Sequence, residues 1–471
     1  HGTHVAGTVG GCIDTVASGP FAGTSLSGVA PGATLVDYNV FPGIGAGFVA
    51  FGGSAFSHDI ASAIEDSVAN GDHVINMSLG GTVQGPHDFL AEVSNAAMAA
   101  GTTVVTSAGN SGPGAFTVGS PGSASEVIAV GATTNSRGLG LFVIEDPGGV
   151  GEDTYPAVPG DFANFDGSTN PLEVWSGSDF QACTSSGVGD HTGDVVLISR
   201  GSCSFTTKIR NAENAGAVGV IVYNNVAGGA IGMGHDGTNP FPTIPAVMVT
   251  MSDGLALVAD APSTVSVTPP VVAPETPNEL IAFSSRGPAP FTYDVKPDVV
   301  APGVNILSSV FFGFDLKNGT SMASPHVAGA AAALLAENGG WTPEMVKSAL
   351  VTTATRLHGL SVWEQGGGLI SLTAAHDADT FFYPANASFG GFIGKAKRAN
   401  GSVDITISGA GGCSVDSVSG DHASASVNGS VLTVEFNGGR HAGTDMYNGY
   451  VDLTCSGNSY HIPWGAVVNR N

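Results

Sequence analysis

The chain has 471 residues, of which 42% are hydrophobic, and its formal net charge at neutral pH is −25. The hydrophobic fraction is sufficient for large buried cores and excludes wholesale disorder, whereas the acidic balance argues against nucleic acid and anionic membranes as partners. No apolar run reaches the roughly 18 residues that a membrane-spanning helix needs.

The first third of the chain alternates between helix and strand patterns. Ile60, Ile64 and Val68 recur at the spacing of one helical face. The predicted elements are, in chain order, a helix around 60–70, a strand at 74–77, a helix at 89–100 and strands at 102–106 and 127–130. Strands separated by helices of this length indicate β-α-β crossovers and a parallel sheet.

This alternation breaks after the strand at 127–130. Residues 137–180 show no clear period, and 261–279 contain five prolines, which is typical of a linker. Between them lie a predicted strand at 195–198, a helix at 208–217 and a strand at 218–223. Helix and strand patterns then return and end near 375, and 380–471 follow the two-residue period of an all-β segment.

One serine occupies a position suited to nucleophilic chemistry. Pro325 favours the first turn of a helix, and the apolar run 327–336 predicts that this helix is buried. Ser321 then lies at the helix N-terminus, where free backbone N–H groups could stabilise an oxyanion. A plain helix cap is the alternative at Ser321.

Several motifs resemble those of subtilisin-like serine proteases, the subtilases. They are GTSMASPHVAG at 319–329, HGTHVAGT at 1–8, NMSLGG around Ser78, SAGNSGP around Asn110, and FSSRGP with KPDVVAPGV within 283–303. Because five matches occur in order, the chain is identified as a member of that family over about 1–134 and 281–376.

The resemblance implies a catalytic role for three residues. Ser321 matches the nucleophile, and His1 matches the general base that takes its proton. Asn110 matches the side-chain donor of the oxyanion hole, although an ordinary asparagine in a glycine-rich turn is the alternative. His4 lies one helical turn further on and is expected to be structural.

The resemblance also implies how a polypeptide substrate would bind. Ser78, Leu79 and Gly80 match the segment that pairs with the substrate backbone as an added strand. Ala108 and Gly109 are expected near the specificity pocket.

The third triad member has no match in this sequence. In this family the catalytic aspartate precedes the histidine motif, and here that motif begins at His1. We therefore expect an N-terminally truncated sequence, with the aspartate, the first strands, a signal and a propeptide upstream, and weak or no activity for the chain as given.

The middle of the chain resembles a second module. Residues 193–225 (GDVVLISRGSCSFTTKIRNAENAGAVGVIVYNN) are similar to a protease-associated domain, whose generic role is to cover or select substrate. A tolerated loop insertion is the alternative. Cys183 and Cys203 predict a disulfide, with a zinc site as the alternative, and His191 and His235 are expected at the surface rather than as ligands.

The tail is weakly similar to the fibronectin type III-like β-sandwich that follows the catalytic domain in many subtilases. Cys413 and Cys455 lie in its strand-like runs and could form a second disulfide. Two disulfides indicate an oxidising compartment and hence secretion. Cys12 is expected to be a small buried residue, or otherwise a reactive thiol.

The sequence thus predicts an α/β protein with a parallel-sheet catalytic domain, an inserted α+β domain and a C-terminal all-β domain. The predicted boundaries are 1–136 and 281–376 for the catalytic domain, 137–280 for the insertion and 377–471 for the tail. The leading hypothesis is a secreted, monomeric serine endopeptidase, and the alternative is a non-catalytic fragment that binds proteins. No metal ligands or cofactor are identified, although the resemblance allows structural calcium.

Overall fold

A computed structural model describes the chain apart from short stretches. The residues not described are 18–23, 42–53, 136–137, 140–141, 146–153, 161, 178, 186–187, 227–229, 235, 237, 261–263, 269–271, 274–275, 311–312, 395–397, 410, 440–443 and 470–471. His235 is among them, so its predicted surface position lies outside the described residues.

The described residues form the following elements. The helices are α1 (Gly2–Gly10), α2 (Ser57–Asn70), α3 (Phe89–Ala99), α4 (Phe205–Asn214), α5 (Met251–Asp260), α6 (Thr320–Glu337), α7 (Pro343–Thr352), α8 (Val362–Gln365) and α9 (Leu372–His376). The strands before the C-terminal region are β1 (Thr15–Val16), β2 (Ser25–Leu26), β3 (Val74–Met77), β4 (Thr103–Ser107), β5 (Ile128–Thr133), β6 (Gly138–Leu139), β7 (Phe142–Glu145), β8 (Thr154–Pro159), β9 (Thr169–Val174), β10 (Val195–Ser199), β11 (Gly219–Tyr223), β12 (Ala246–Val249), β13 (Thr264–Thr268), β14 (Val272–Ala273), β15 (Val299–Pro302), β16 (Ile306–Val310) and β17 (Gly313–Lys317). The remaining strands are β18 (Thr380–Tyr383), β19 (Ala387–Ile393), β20 (Ala399–Gly409), β21 (Cys413–Val418), β22 (Ala423–Asn428), β23 (Val431–Gly439), β24 (Asp445–Cys455) and β25 (Asn458–Asn469).

A four-stranded parallel sheet of order β15-β5-β4-β3 organises the first and third parts of the chain. Both faces are covered, because Val104 packs with α2 and α3 while its neighbour Val105 packs with α6. Alternate residues of one strand therefore belong to two separate cores, as in doubly wound α/β folds. The predicted α/β class with a parallel sheet is confirmed.

The helix that carries Ser321 begins earlier than the proline pattern predicts. It starts at Thr320, so Pro325 lies in its second turn rather than its first. Its later residues are buried against the sheet and against α1, and Gly329 has no room for a side chain because an added Cβ would lie 2.7 Å from Cβ of Val29. The position of α6 is thus determined by close packing along much of its length.

The middle of the chain forms a closed barrel of seven strands in the order β10-β11-β12-β8-β7-β13-β9. One core fills the barrel, with Phe142 and Val265 among its fully buried residues. Residues 137–180, which show no clear period in the sequence, contain β7, β8 and β9. The linker prediction for 261–279 is incomplete, because β13 completes the barrel.

The two ends of the insertion lie side by side. Thr133 and Leu280 form an antiparallel bridge, and the amide of Thr134 donates to the carbonyl of Glu279 over 2.9 Å. The chain therefore leaves and re-enters the parallel sheet at one point.

The C-terminal region consists of two four-stranded sheets, β18-β20-β23-β22 and β19-β25-β24-β21. Their facing side chains form one core that includes Phe436 and Trp464. Cys413 and Cys455 face each other on β21 and β24 and form a disulfide. The second disulfide joins Cys183 and Cys203 in the insertion. The alternative interpretation of these two cysteines as zinc ligands is therefore wrong.

The C-terminal sheets are joined to the part of the chain around the parallel sheet by specific contacts. The hydroxyl of Tyr450 donates to the carbonyl of Gly366 over 2.8 Å, and Nε2 of His461 donates to the carbonyl of Gly367 over the same distance. Gly465 lies against the ring of Trp363, at a distance that leaves no room for a Cβ atom. These contacts tie β24 and β25 to the segment around α8.

Candidate active site

Ser321 lies at the second position of α6, and the residue before this helix is a glycine that the geometry requires. Gly319, which precedes the helix, has φ of +149°, a conformation that residues with a side chain rarely adopt. A Cβ atom there would lie 3.6 Å from both Nδ2 of Asn110 and the backbone nitrogen of Ser321. The absence of a side chain at Gly319 therefore keeps the space between these two donors open.

The amide of Asn110 has a defined orientation because of Thr320. Its Oδ1 accepts hydrogen bonds from both the backbone N–H and the hydroxyl of Thr320, each over 2.9 Å. A backbone N–H can only donate, so Oδ1 must face Thr320 and the NH2 group must point the other way. The amide can then donate to a developing oxyanion without any change of charge.

The hydroxyl of Ser321 faces the strand-end segment that the sequence assigns to substrate binding. Its Oγ donates to the carbonyl of Ser78 over 3.4 Å, and Oγ of Ser78 donates to the carbonyl of Ser321 over 2.7 Å. The bond from Ser321 to Ser78 is long for a hydroxyl donor and therefore weak. Little hydrogen-bond energy is lost when the Ser321 hydroxyl turns toward another acceptor.

Ser78 and Ser324 are linked through Asn76. The amide of Asn76 donates to Oγ of Ser78 over 3.1 Å, and its Oδ1 accepts from Oγ of Ser324 over 2.7 Å. Ser324 is fully buried, whereas Ser321 is half-buried. The two serines of this motif thus have different surroundings, and only Ser321 is open to a substrate.

The remaining predicted substrate-binding residues flank the same place. Leu79 accepts a hydrogen bond at its carbonyl from Oγ of Ser107, and Gly109 donates its amide to Oγ1 of Thr320. Ala108 is fully buried and Gly80 is exposed. Thr320 therefore connects the segment after β4 to the helix of the serine.

His1 lies at the exposed N-terminal end of α1, the helix that packs against α6. His4 on the same helix is fully buried, and its Nε2 donates to the carbonyl of Ile306 over 2.8 Å. Burial lowers the pKa of His4 to about 4, so it stays neutral near pH 7. This supports the structural role predicted for His4.

Two expectations about single residues are wrong. Cys12 is a free cysteine, and it is exposed rather than buried, because it lies beyond the end of α1 at Gly10. His191 was expected at the surface, yet only 1% of it is exposed.

The sequence analysis missed Thr320 and Asn76, which orient the predicted site residues. Their roles depend on hydrogen bonds between segments that are distant in the sequence. The one sequence feature that could have indicated Thr320 is its position between Gly319 and Ser321.

Comparison with known proteins identifies the family. The model of the subtilase family, peptidase family S8, matches residues 1–370. The chain belongs to the subtilase family. Among the described residues no helix is both long and apolar enough to cross a membrane.

Several subtilases are similar over most of this chain. Minor extracellular protease Vpr of Bacillus subtilis (strain 168) is 34% identical over 413 residues, which is 83% of this chain and 47% of that protein. Subtilisin-like protease SBT1.4 of Arabidopsis thaliana is 30% identical over 418 residues, 82% of this chain and 50% of that protein. The chain thus spans about half the length of these relatives.

A solved subtilase structure is also similar. The psychrophilic subtilisin-like protease Apa1 from Pseudoalteromonas sp. AS-11 is 22% identical, with a TM-score of 0.38, over 80% of this chain and 83% of that one.

Proposed function

We propose that the protein is a serine endopeptidase that hydrolyses peptide bonds through an acyl-enzyme on Ser321. The observation that carries this proposal is the open space at Gly319 between the backbone N–H of Ser321 and the amide of Asn110. Two donors that converge beside a serine hydroxyl are the arrangement that stabilises a tetrahedral oxyanion.

In this mechanism His1 takes the proton of Ser321 as the hydroxyl attacks the peptide carbonyl. The carbonyl oxygen becomes an oxyanion and accepts from Ser321 N–H and from Nδ2 of Asn110. His1 then gives the proton to the leaving amine, and an acyl-enzyme remains. Water hydrolyses the acyl-enzyme by the same steps, with His1 again as the base.

The substrate backbone is proposed to pair with Ser78, Leu79 and Gly80 as an added strand. These residues follow β3, and each lies within one or two residues of the contacts that hold Ser321. Ala108 and Gly109 are proposed to line the pocket for the side chain that precedes the cleaved bond.

The aspartate that orients the histidine in this family is expected from a segment that precedes His1. In the described sheet β3 is an edge strand, so its outer side is available to a further strand. Such a strand would bring its carboxyl end to the same edge of the sheet as Ser78.

We further propose that the protein is secreted, acts on polypeptides as a monomer and is made with a propeptide. Its relative Vpr is named an extracellular protease, and the two disulfides suit an oxidising compartment. The barrel is proposed to be a protease-associated domain, and the C-terminal sheets a fibronectin type III-like sandwich.

The proposal is tested by hydrolysis of a chromogenic peptide by the full-length protein and two serine variants. Ser321→Ala should lower kcat by about 10⁶-fold, the loss known from subtilisin itself. Ser324→Ala is the matched control from the same helix turn and should keep most of the activity, although it loses its hydrogen bond to Asn76. Equal activity of wild type and Ser321→Ala would favour a non-catalytic binding protein instead.

A further inference from the structure

The barrel contains a buried histidine that lies against two carboxylates. Nδ1 of His191 is 3.3 Å from Oε2 of Glu173 and 3.9 Å from Oδ2 of Asp194. One ligand atom from each residue lies within 4.8 Å of the other two. This cluster is part of neither the catalytic site nor the disulfide at Cys183.

His191 is positioned by the surrounding fold rather than by these carboxylates. Its ring stacks on that of Trp175, with centroids 5.3 Å apart and planes inclined by 19°. Its backbone amide donates to the carbonyl of Ala215 over 2.9 Å. The imidazole is therefore held in place with one nitrogen directed at the carboxylates.

The other ring nitrogen has a serine hydroxyl as its partner. Nε2 of His191 lies 3.2 Å from Oγ of Ser176, which already accepts from the amide of Gly189 over 3.1 Å. Because a hydroxyl can donate or accept, this contact is compatible with either tautomer. In the tautomer with the proton on Nε2, this nitrogen donates to Ser176 and Nδ1 keeps a lone pair that can bind a metal ion. Metal-binding histidines commonly donate their second ring nitrogen in this way.

Nδ1 itself is a buried polar atom without a hydrogen bond. Although Oε2 of Glu173 is 3.3 Å away, the two atoms do not meet with hydrogen-bond geometry, and 1% of His191 is exposed. Within the described part of the chain, neither carboxylate has a side-chain partner outside this cluster. In the tautomer with the proton on Nε2, a buried Nδ1 lone pair faces two carboxylates, and a cation between them would stabilise this arrangement.

We propose that Glu173, His191 and Asp194 bind a divalent transition-metal ion of the Zn²⁺ type, with a water molecule as the fourth ligand. Tetrahedral Zn²⁺ with ligands about 2.0–2.2 Å away separates its ligand atoms by roughly 3.3–3.6 Å. The distance of 3.3 Å between Nδ1 of His191 and Oε2 of Glu173 already fits, whereas Oδ2 of Asp194, 3.9 Å from Nδ1, would have to move closer on binding.

The donor set does not suit calcium. Ca²⁺ takes six to eight oxygen ligands, whereas this cluster offers an imidazole nitrogen that Zn²⁺ accepts readily. The structural calcium implied by the family resemblance therefore does not fit here.

The ion would join two strands of the barrel. Glu173 lies on β9 and Asp194 directly precedes β10, and these strands pair in parallel with Glu173 opposite Val196. Because Glu173 is more than half exposed, the ion could enter from solvent. Its binding would stabilise the closure of the barrel, independently of any catalysis at Ser321.

The test measures metal binding by the full-length protein after removal of metals with a chelator. Competition with a chromophoric chelator should give one equivalent of Zn²⁺ with a dissociation constant in the micromolar range or below, and Zn²⁺ should raise the unfolding temperature. Glu173→Gln and Asp194→Asn should each weaken Zn²⁺ binding at least tenfold and abolish the temperature shift.

Glu145→Gln is the matched control, because it removes an exposed carboxylate of the same barrel on β7. It should bind Zn²⁺ as the wild type does. Absence of Zn²⁺ binding by the wild type, or equal binding by Glu173→Gln and Asp194→Asn, would overturn the site. Tighter binding of Ca²⁺ than of Zn²⁺ in the same assay would overturn the metal class.

Discussion

At the scale of single residues, the orientation of one amide decides whether the site can stabilise an oxyanion. Oδ1 of Asn110 is occupied by two hydrogen bonds from Thr320, so only the NH2 group is free to face Gly319. The contribution of Asn110 should therefore appear in the transition state and not in the binding of the ground-state carbonyl.

Asn110→Ala is expected to lower kcat by about 10²–10³-fold with little change in KM, the range known for the same kind of donor in subtilisin. Thr320→Val keeps the backbone bond but loses the hydroxyl bond, and a loss of kcat of roughly fivefold is expected, since one hydrogen bond contributes about 1 kcal/mol. Steady-state kinetics with a short peptide substrate give kcat and KM for both variants.

Thr320→Ser is the control, since it keeps the hydroxyl and should retain wild-type kcat. A rise in KM with unchanged kcat for Asn110→Ala would show that the amide binds substrate and not the oxyanion.

At the scale of elements, β25 carries a buried histidine that links stability to pH. Burial lowers the pKa of His461 from 6.5 to about 4. The unfolded chain binds a proton below pH 6.5 while the folded chain does not, so stability falls as the pH drops from about 6.5 to about 4. The loss at His461 is on the order of 1–3 kcal/mol.

His461→Gln should remove part of this dependence, because glutamine can still donate to Gly367 but does not titrate. Urea unfolding near pH 7 and near pH 5 measures the free energy of unfolding for both proteins. The variant should lose less stability on acidification than the wild type. His58→Gln, at an exposed histidine, is the control, and an identical acid loss in wild type and His461→Gln would contradict the prediction.

At the scale of the whole molecule, the insertion connects to the catalytic sheet at a single point. The bridge between Thr133 and Leu280, together with the bonds of Thr134 to Asn278 and Glu279, brings the two ends together. Joining Asn135 directly to Leu280 should therefore leave the sheet intact.

This deletion in the full-length protein should keep kcat/KM for a short peptide within about tenfold, because Ser321, His1 and Asn110 lie outside the insertion. Hydrolysis of a folded protein substrate is expected to change more if the barrel selects substrates. The same deletion combined with Ser321→Ala gives the background rate of peptide hydrolysis that does not depend on Ser321. A loss above about a hundredfold on the peptide, in a variant that is still folded by circular dichroism, would make the insertion part of the active site.

The sequence predicted those parts of the molecule whose determinants are local. The β-α-β alternation between α2 and β5 is visible because each buried strand and amphipathic helix has its own period. The position of Ser321 at a helix N-terminus could be predicted for the same reason, although the residue at which α6 begins could not.

The strands at 195–198 and 218–223 were predicted and are β10 and β11 of the barrel. The other barrel strands and the cluster at His191 could not be predicted, because they depend on long-range pairing. β13 pairs with β7 and β9, which lie about a hundred residues or more earlier in the chain, so no local pattern indicates that these strands join. The burial of His191 depends on the ring of Trp175 and on the turn before β10, so no local pattern indicates it.

The most direct test of the central claim is to label the full-length protein with a fluorophosphonate probe and to locate the adduct by mass spectrometry. Such probes react with a serine hydroxyl only where a base and an oxyanion site activate it. The account predicts a single adduct on Ser321 that is absent from Ser321→Ala and much reduced in Asn110→Ala. An adduct on Ser324, or none on a protein that is folded, would contradict it.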